Sequence, residues 1–254
     1  MKKKMIIGNW KMNLLFPQAQ ALLEKLVAYA LPSHLLAGVC PPYLWIPMAV
    51  EQLRGSSWII AGQNIHPEPF GAHTGDISAD MLRSAGCSHC LVGHSERRQS
   101  YGESDDDVAD KVISLLTAGV TPILCVGESL EEREANQAET VVRRQVYAVL
   151  KKIGDDSALF PIAYEPVWAI GTGVHCNPET AKAMIQQIRQ EIAYHRGETQ
   201  AVEATILYGG SVNASNIAEY LQMTEIDGAL VGGASLQAKD FLAILDQAGG
   251  VNRA

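Results

Sequence analysis

Residues 89–126 read HCLVGHSERRQSYGESDDDVADKVISLLTAGVTPILCV. A short apolar run, His89–Val92, leads into a longer helix-period segment, Ser104–Ala118, and then into a second apolar run, Thr121–Val126. In the middle segment Ser104 and Asp107 have the spacing of a capping box, and Val108, Val112, Leu115 and Leu116 stack on one face. The flanking runs are too short for helices and rich in β-branched or small apolar residues, as strands buried on both faces are. The stretch therefore predicts strand, helix, strand.

The same unit repeats in both directions along the chain. The apolar runs are Met5–Ile7, Leu36–Cys40, Trp58–Ala61, His89–Val92, Thr121–Val126, Pro161–Tyr164, Thr205–Tyr208 and Ala229–Val231. Between them, Pro17–Ala30 aligns Leu22, Leu23, Leu26 and Val27. Asn177–His195 offers an N-cap Asn, a Pro at the first helical position, and Ala181, Met184, Ile185, Ile188 and Ile192 at three- and four-residue steps. Strand–helix alternation repeated eight times fits a closed parallel barrel or a doubly wound open sheet. The strand count favours the α/β barrel, (β/α)8, as a single domain over residues 1–254. Either architecture places function at the C-terminal ends of the strands.

Composition narrows the function classes. A formal net charge of −8 argues against nucleic acid or an anionic membrane surface as partner, since both call for basic patches. An anionic small molecule stays open, because a local group of Lys and main-chain N–H donors can hold one against an acidic background. No run approaches the length of a membrane span. Met1-Lys2-Lys3-Lys4 resembles the start of a signal peptide, but Asn9, Lys11 and Asn13 interrupt the apolar stretch that follows. The five cysteines are odd in number and scattered, which favours reduced thiols and a cytoplasmic location.

Unusual residues crowd the predicted strand ends. After the first strand comes Gly8-Asn9-Trp10-Lys11-Met12-Asn13, with Asn9 and Lys11 two apart and so on one face. Lys11 offers fixed positive charge to an anion; alone it also reads as a surface lysine. After the fourth comes Gly93-His94-Ser95-Glu96-Arg97-Arg98. A His at a helix N-terminus is biased towards the neutral ring, which can donate to a carbonyl oxygen; it can equally serve as a cap.

After the sixth strand comes Glu165, which Pro166 biases to an extended conformation. It suits a general base. Val167–Ile170 is then an apolar segment between Pro166 and Gly171-Thr172-Gly173. It reads as a stiff lid on flexible ends, or as a buried strand extension. Gly209-Gly210-Ser211 and Gly232-Gly233 follow the seventh and eighth strands, where barrels often bind phosphate; paired glycines also suit tight turns.

Taken in order, these segments resemble the signature segments of the triosephosphate isomerase family, and the resemblance covers essentially the whole chain. It implies a TIM barrel that interconverts two phosphorylated trioses through an enediolate, with no metal or organic cofactor. It implies Glu165 as the base, His94 as the donor to the carbonyl oxygens, and Lys11 and Asn9 as charge and orientation. It further implies that Gly171, Ser211, Gly232 and Gly233 hold the phosphate. A homodimer through the loop around Thr74 also follows from the resemblance. Two positions depart from the family pattern. Val174 stands where a Lys follows the lid, which predicts altered loop opening with the chemistry retained. Asp76 and His73 replace a Glu and a larger apolar aromatic in the long loop 64–78, which weakens the reach towards Arg97 of the partner subunit.

Other readings compete. Cys87-Ser88-His89-Cys90 with His94 nearby has some features of a zinc site, but lacks a second pair and places Cys90 in a strand, so core thiols are favoured. A different enzyme on the same scaffold, and a non-catalytic phosphate-ligand-binding barrel of the same descent, complete the alternatives.

Overall fold

The computed structural model describes residues 2–154, 157–170 and 176–251. Within them, eight strands close into a barrel: β1 (Lys4–Asn9), β2 (Leu35–Cys40), β3 (Ile59–Gly62), β4 (His89–Val92), β5 (Thr121–Val126), β6 (Ile162–Tyr164), β7 (Ile206–Tyr208) and β8 (Gly228–Val231). Each strand pairs in parallel with its sequence neighbours, and β8 closes on β1 through Met5↔Gly228 to Gly8↔Val231.

Strand alternation divides the core in two. Met5, Ile7, Cys40, Ala61, Leu91, Ile123, Cys125, Ala163, Leu207 and Leu230 fill the barrel interior, with every strand contributing. Their neighbours, such as Ile6, Cys90, Val92, Leu124 and Val126, face outward and pack beneath the helices. This is the two-faced burial that makes each strand read as a continuous apolar run.

The helices begin where their caps place them. Ser104 Oγ accepts the Asp107 N–H at 3.2 Å, and Asp107 Oδ2 accepts the Ser104 N–H at 2.9 Å, so the capping box opens the helix Asp105–Ala118. The Ser104 hydroxyl also donates to Asp107 Oδ2 at 2.6 Å, and this bond first, then the Ser104 N–H, holds the Asp107 carboxyl below its usual range. Asn177 Oδ1 accepts the Thr180 N–H at 2.8 Å and starts the helix Pro178–Arg196. The first helix spans Phe16–Val27, three residues short of the expected end at Ala30. Pro32 follows closely and disfavours helical backbone in the residue before it. Trp58, expected inside the third strand, lies just before it and packs on Phe241 of the last helix at 6.2 Å.

His89 opens β4 at the N-terminal mouth, half-buried, with Nδ1 2.9 Å from Ser88 Oγ. Burial lowers its pKa to about 4. An unfolded chain protonates this ring near pH 6.5, so between about pH 6.5 and 4 the unfolded state binds the extra proton. Stability is therefore expected to decrease as the pH is lowered through this window, by at most about 1.4 kcal/mol per pH unit from this group. Denaturant titrations between pH 6.5 and 5 are expected to show a shallower slope for His89→Gln than for the parent. Equal slopes would contradict the assignment.

Candidate active site

The C-terminal mouth of the barrel gathers the polar residues that the strands cannot bury. Asn9 shares the inward parity of Met5 and Ile7 and is almost fully buried at the end of β1. Beyond it the strand period stops, because Lys11 has φ +52°, in the left-handed region. That conformation costs a non-glycine residue roughly 1–2 kcal/mol. Side-chain hydrogen bonds hold it there: the Lys11 N–H donates to Asn9 Oδ1 (3.0 Å), and Gln63 Nε2 donates to the Lys11 carbonyl (2.8 Å) and the Cys40 carbonyl (2.9 Å). Asn9 and Lys11 thus reach the same cavity, but a turn places Lys11 there and not the two-residue strand spacing. Lys11 Nζ pairs with Glu96 Oε1 at 2.6 Å.

At the end of β4, His94 caps the short helix Ser95–Tyr101. Its Nδ1 accepts the Glu96 N–H at 3.2 Å, which requires a lone pair on that nitrogen. A neutral ring then carries its proton on Nε2, the nitrogen that faces the cavity. Nε2 lies 3.1 Å from Glu165 Oε1, while Glu165 Oε2 accepts the Ser95 N–H at 2.9 Å.

Glu165 is only 2% exposed, one residue past β6. Its main-chain N–H donates to the Val126 carbonyl (2.7 Å). The seat is narrow because both adjacent strand ends carry glycine. A Cβ on Gly127 would stand 1.7 Å from the Glu165 carbonyl oxygen, and one on Gly209 2.8 Å from Glu165 Cγ. A larger residue at either position would displace the carboxylate.

The apolar segment after Glu165 is a turn of 3-10 helix, Val167–Ala169, and not an extension of β6. Glu128, fully buried, ties it down. Its carboxylate accepts from Trp168 Nε1 (2.8 Å), the Tyr164 hydroxyl (3.1 Å) and Arg133 (3.2 Å), and its carbonyl accepts the Val167 N–H (3.1 Å). Burial first, then the Glu128 charge, pushes the Tyr164 hydroxyl upward, so it stays a donor.

Asn9, Lys11, His94 and Glu165 line a cavity of about 300 Å³ together with Ser211, Gly232, Gly233 and Ile170. Gly171 and Val174 lie outside the described residues. Gln63, Ser95, Glu96 and Glu128 were not singled out from sequence. Ser95 and Glu96 stood within the strand-end segment quoted above, whereas Gln63 and Glu128 carried no signal beyond following a strand. Cys87 and Cys90 lie at the far end of β4 from His94, buried, with burial pushing the Cys87 thiol up to about 12. They are core thiols. Chemically, a buried carboxylate, an N–H donor and an ammonium around one small cavity suit proton abstraction beside a carbonyl.

The family model described as triosephosphate isomerase matches residues 4–248. Among curated proteins named triosephosphate isomerase, that of Delftia acidovorans is 49% identical over 247 residues, covering 96% of this chain and 98% of its own. Those of Chlorobium phaeovibrioides and Thermus thermophilus are each 44% identical, over 98% of this chain and 100% of their own. With the barrel, the strand-end residues and these matches in agreement, the chain belongs to the triosephosphate isomerase family.

Proposed function

We propose that this chain interconverts dihydroxyacetone phosphate and D-glyceraldehyde 3-phosphate in the cytoplasm, as a single-domain protomer of a homodimer. The observation that carries the reading is the 3.1 Å approach of His94 Nε2 to Glu165 Oε1 in the cavity that also holds Lys11. Glu165 removes a proton from the carbon beside the carbonyl, and the C–H electron pair moves into the new C=C bond. His94 Nε2–H and Lys11 stabilise the negative charge that develops on oxygen. Glu165 then returns the proton to the neighbouring carbon, while the remaining hydroxyl proton passes to the other oxygen by way of His94 Nε2, so that the carbonyl re-forms at the adjacent position. Glu165 Oε2 accepts the Ser95 N–H and Oε1 lies 3.1 Å from His94 Nε2, so the carboxylate turns from these neighbours to the substrate before it acts.

Asn9 orients the substrate. Ser211, Gly232 and Gly233, with Gly171, supply the phosphate site. Lid closure excludes water, which protects the enediolate from losing phosphate. The steps move two protons within one substrate, one between carbons and one between oxygens, and need no redox partner. Among the described residues no helix is long and apolar enough to cross a membrane.

Glu165→Asp tests the base directly. Withdrawing the carboxylate by one methylene is expected to lower kcat by about a hundredfold or more with KM little changed. Unchanged turnover would refute the role.

The dimer reading is supported by exposed large apolar side chains on the first four strand-to-helix segments. Met12, Leu15, Leu44, Phe70 and Tyr101, from the segments after β1 to β4, are all more than two-thirds exposed. Thr74 sits at the tip of a turn closed by the Asp76 N–H on the His73 carbonyl at 3.0 Å. Arg97, the expected partner of Asp76 across the interface, already pairs with Glu103 of its own chain at 2.7 Å. Sedimentation at micromolar concentration is expected to give the dimer mass; a fully active monomer would overturn this.

A further inference from the structure

The turn after β8 is held from beneath by a side chain that the isomerase reading leaves unused. Ser235 is fully buried, two residues past Gly233. A buried hydroxyl needs a partner, and Ser235 gives both of its donors to one acceptor. Its main-chain N–H donates to the Gly232 carbonyl at 2.8 Å, and its hydroxyl donates to the same oxygen at 2.7 Å. The Asn9 carbonyl lies 3.4 Å from that hydroxyl. One proton cannot serve both acceptors fully, and the shorter distance favours Gly232.

Packing fixes where the hydroxyl sits. A Cβ on Gly8 of β1 would stand 2.8 Å from Ser235 Cβ and 3.1 Å from the Phe241 ring. Ser235 therefore occupies the core side of the turn, beside β1 and the last helix.

The consequence falls on the next peptide. The bond between Gly232 and Gly233 is trans. The Gly232 C=O and the Gly233 N–H therefore share a plane and point opposite ways. Two donors from Ser235 hold the carbonyl towards the core, so the Gly233 N–H turns away from it, to the side of the cavity that both glycines line. Gly233 opens the turn Gly233–Leu236, so no carbonyl within the turn is available to that N–H. Hydrogen bonds at the carbonyl also polarise the peptide, which strengthens the N–H as a donor to an anion.

We propose that Ser235 is a positioning residue for the substrate phosphate: its hydroxyl orients the Gly232–Gly233 peptide so that the Gly233 N–H meets the phosphate oxygens. The inference rests on the isomerase reading for the identity of the anion. Ser235 itself touches no substrate atom and acts through the peptide plane.

The test compares the whole protein with two variants. Ser235→Ala removes the hydroxyl and keeps the main-chain N–H; Ser235→Cys keeps a weak donor in its place. Inorganic phosphate is the first probe, titrated while the Gly233 amide resonance is followed by NMR. Its affinity is expected to weaken by about three- to tenfold in Ser235→Ala, with Ser235→Cys between. The second probe is turnover. kcat/KM for D-glyceraldehyde 3-phosphate is expected to fall by a similar factor, while proton exchange from unphosphorylated D-glyceraldehyde stays within about twofold of the parent. Circular dichroism confirms that the variants fold. Parental phosphate affinity in Ser235→Ala would overturn the proposal. So would an equal loss on both trioses, which would assign the hydroxyl to the Asn9 carbonyl instead. A parent that binds phosphate without isomerising would contradict the isomerase reading alone, and the phosphate titration would still decide the role of Ser235.

Discussion

The hydrogen bond from the Glu96 main-chain N–H to His94 Nδ1 is the constraint on which the site depends. It occupies the lone pair of one ring nitrogen and leaves the proton of the neutral ring on the other, which points at Glu165. The helix that supplies this N–H also supplies the Ser95 N–H that holds Glu165 Oε2. A single helix start therefore sets both the donor and the base. Lys11 joins the arrangement through Glu96, the residue whose N–H engages His94.

The barrel makes this economy of parts possible. Every strand ends at the same mouth, so residues far apart in sequence converge without long connections. The inward parity that buries Met5, Ile7 and Ala163 continues into Asn9 and Glu165. Glycines at the ends of β5 and β7 then let the Glu165 main chain and side chain sit where any Cβ would collide. Packing places the carboxylate, and Glu128 pins the segment just beyond it through the Trp168 indole and the Val167 N–H.

Much of this was legible in the sequence, for physical reasons that differ from residue to residue. The strands were visible because burial on both faces leaves short unbroken apolar runs, and Ser104 and Asn177 announced their helices by cap chemistry. Glu165 and His94 stood out as polar residues at the ends of such runs. Lys11 reached the expected cavity by an unexpected route, since nothing in Trp10-Lys11-Met12 announces a left-handed backbone. Gln63, which helps hold that conformation, was silent because its role lies in two long-range bonds to carbonyls.

The account turns on which nitrogen of His94 carries the proton, and nitrogen-15 NMR of the labelled imidazole reports this directly. At pH 7.5, with the resonances assigned by comparison with His94→Gln, Nδ1 is predicted to show the shift of an unprotonated nitrogen and Nε2 that of a protonated one. The reverse pattern, or two protonated nitrogens, would contradict the account.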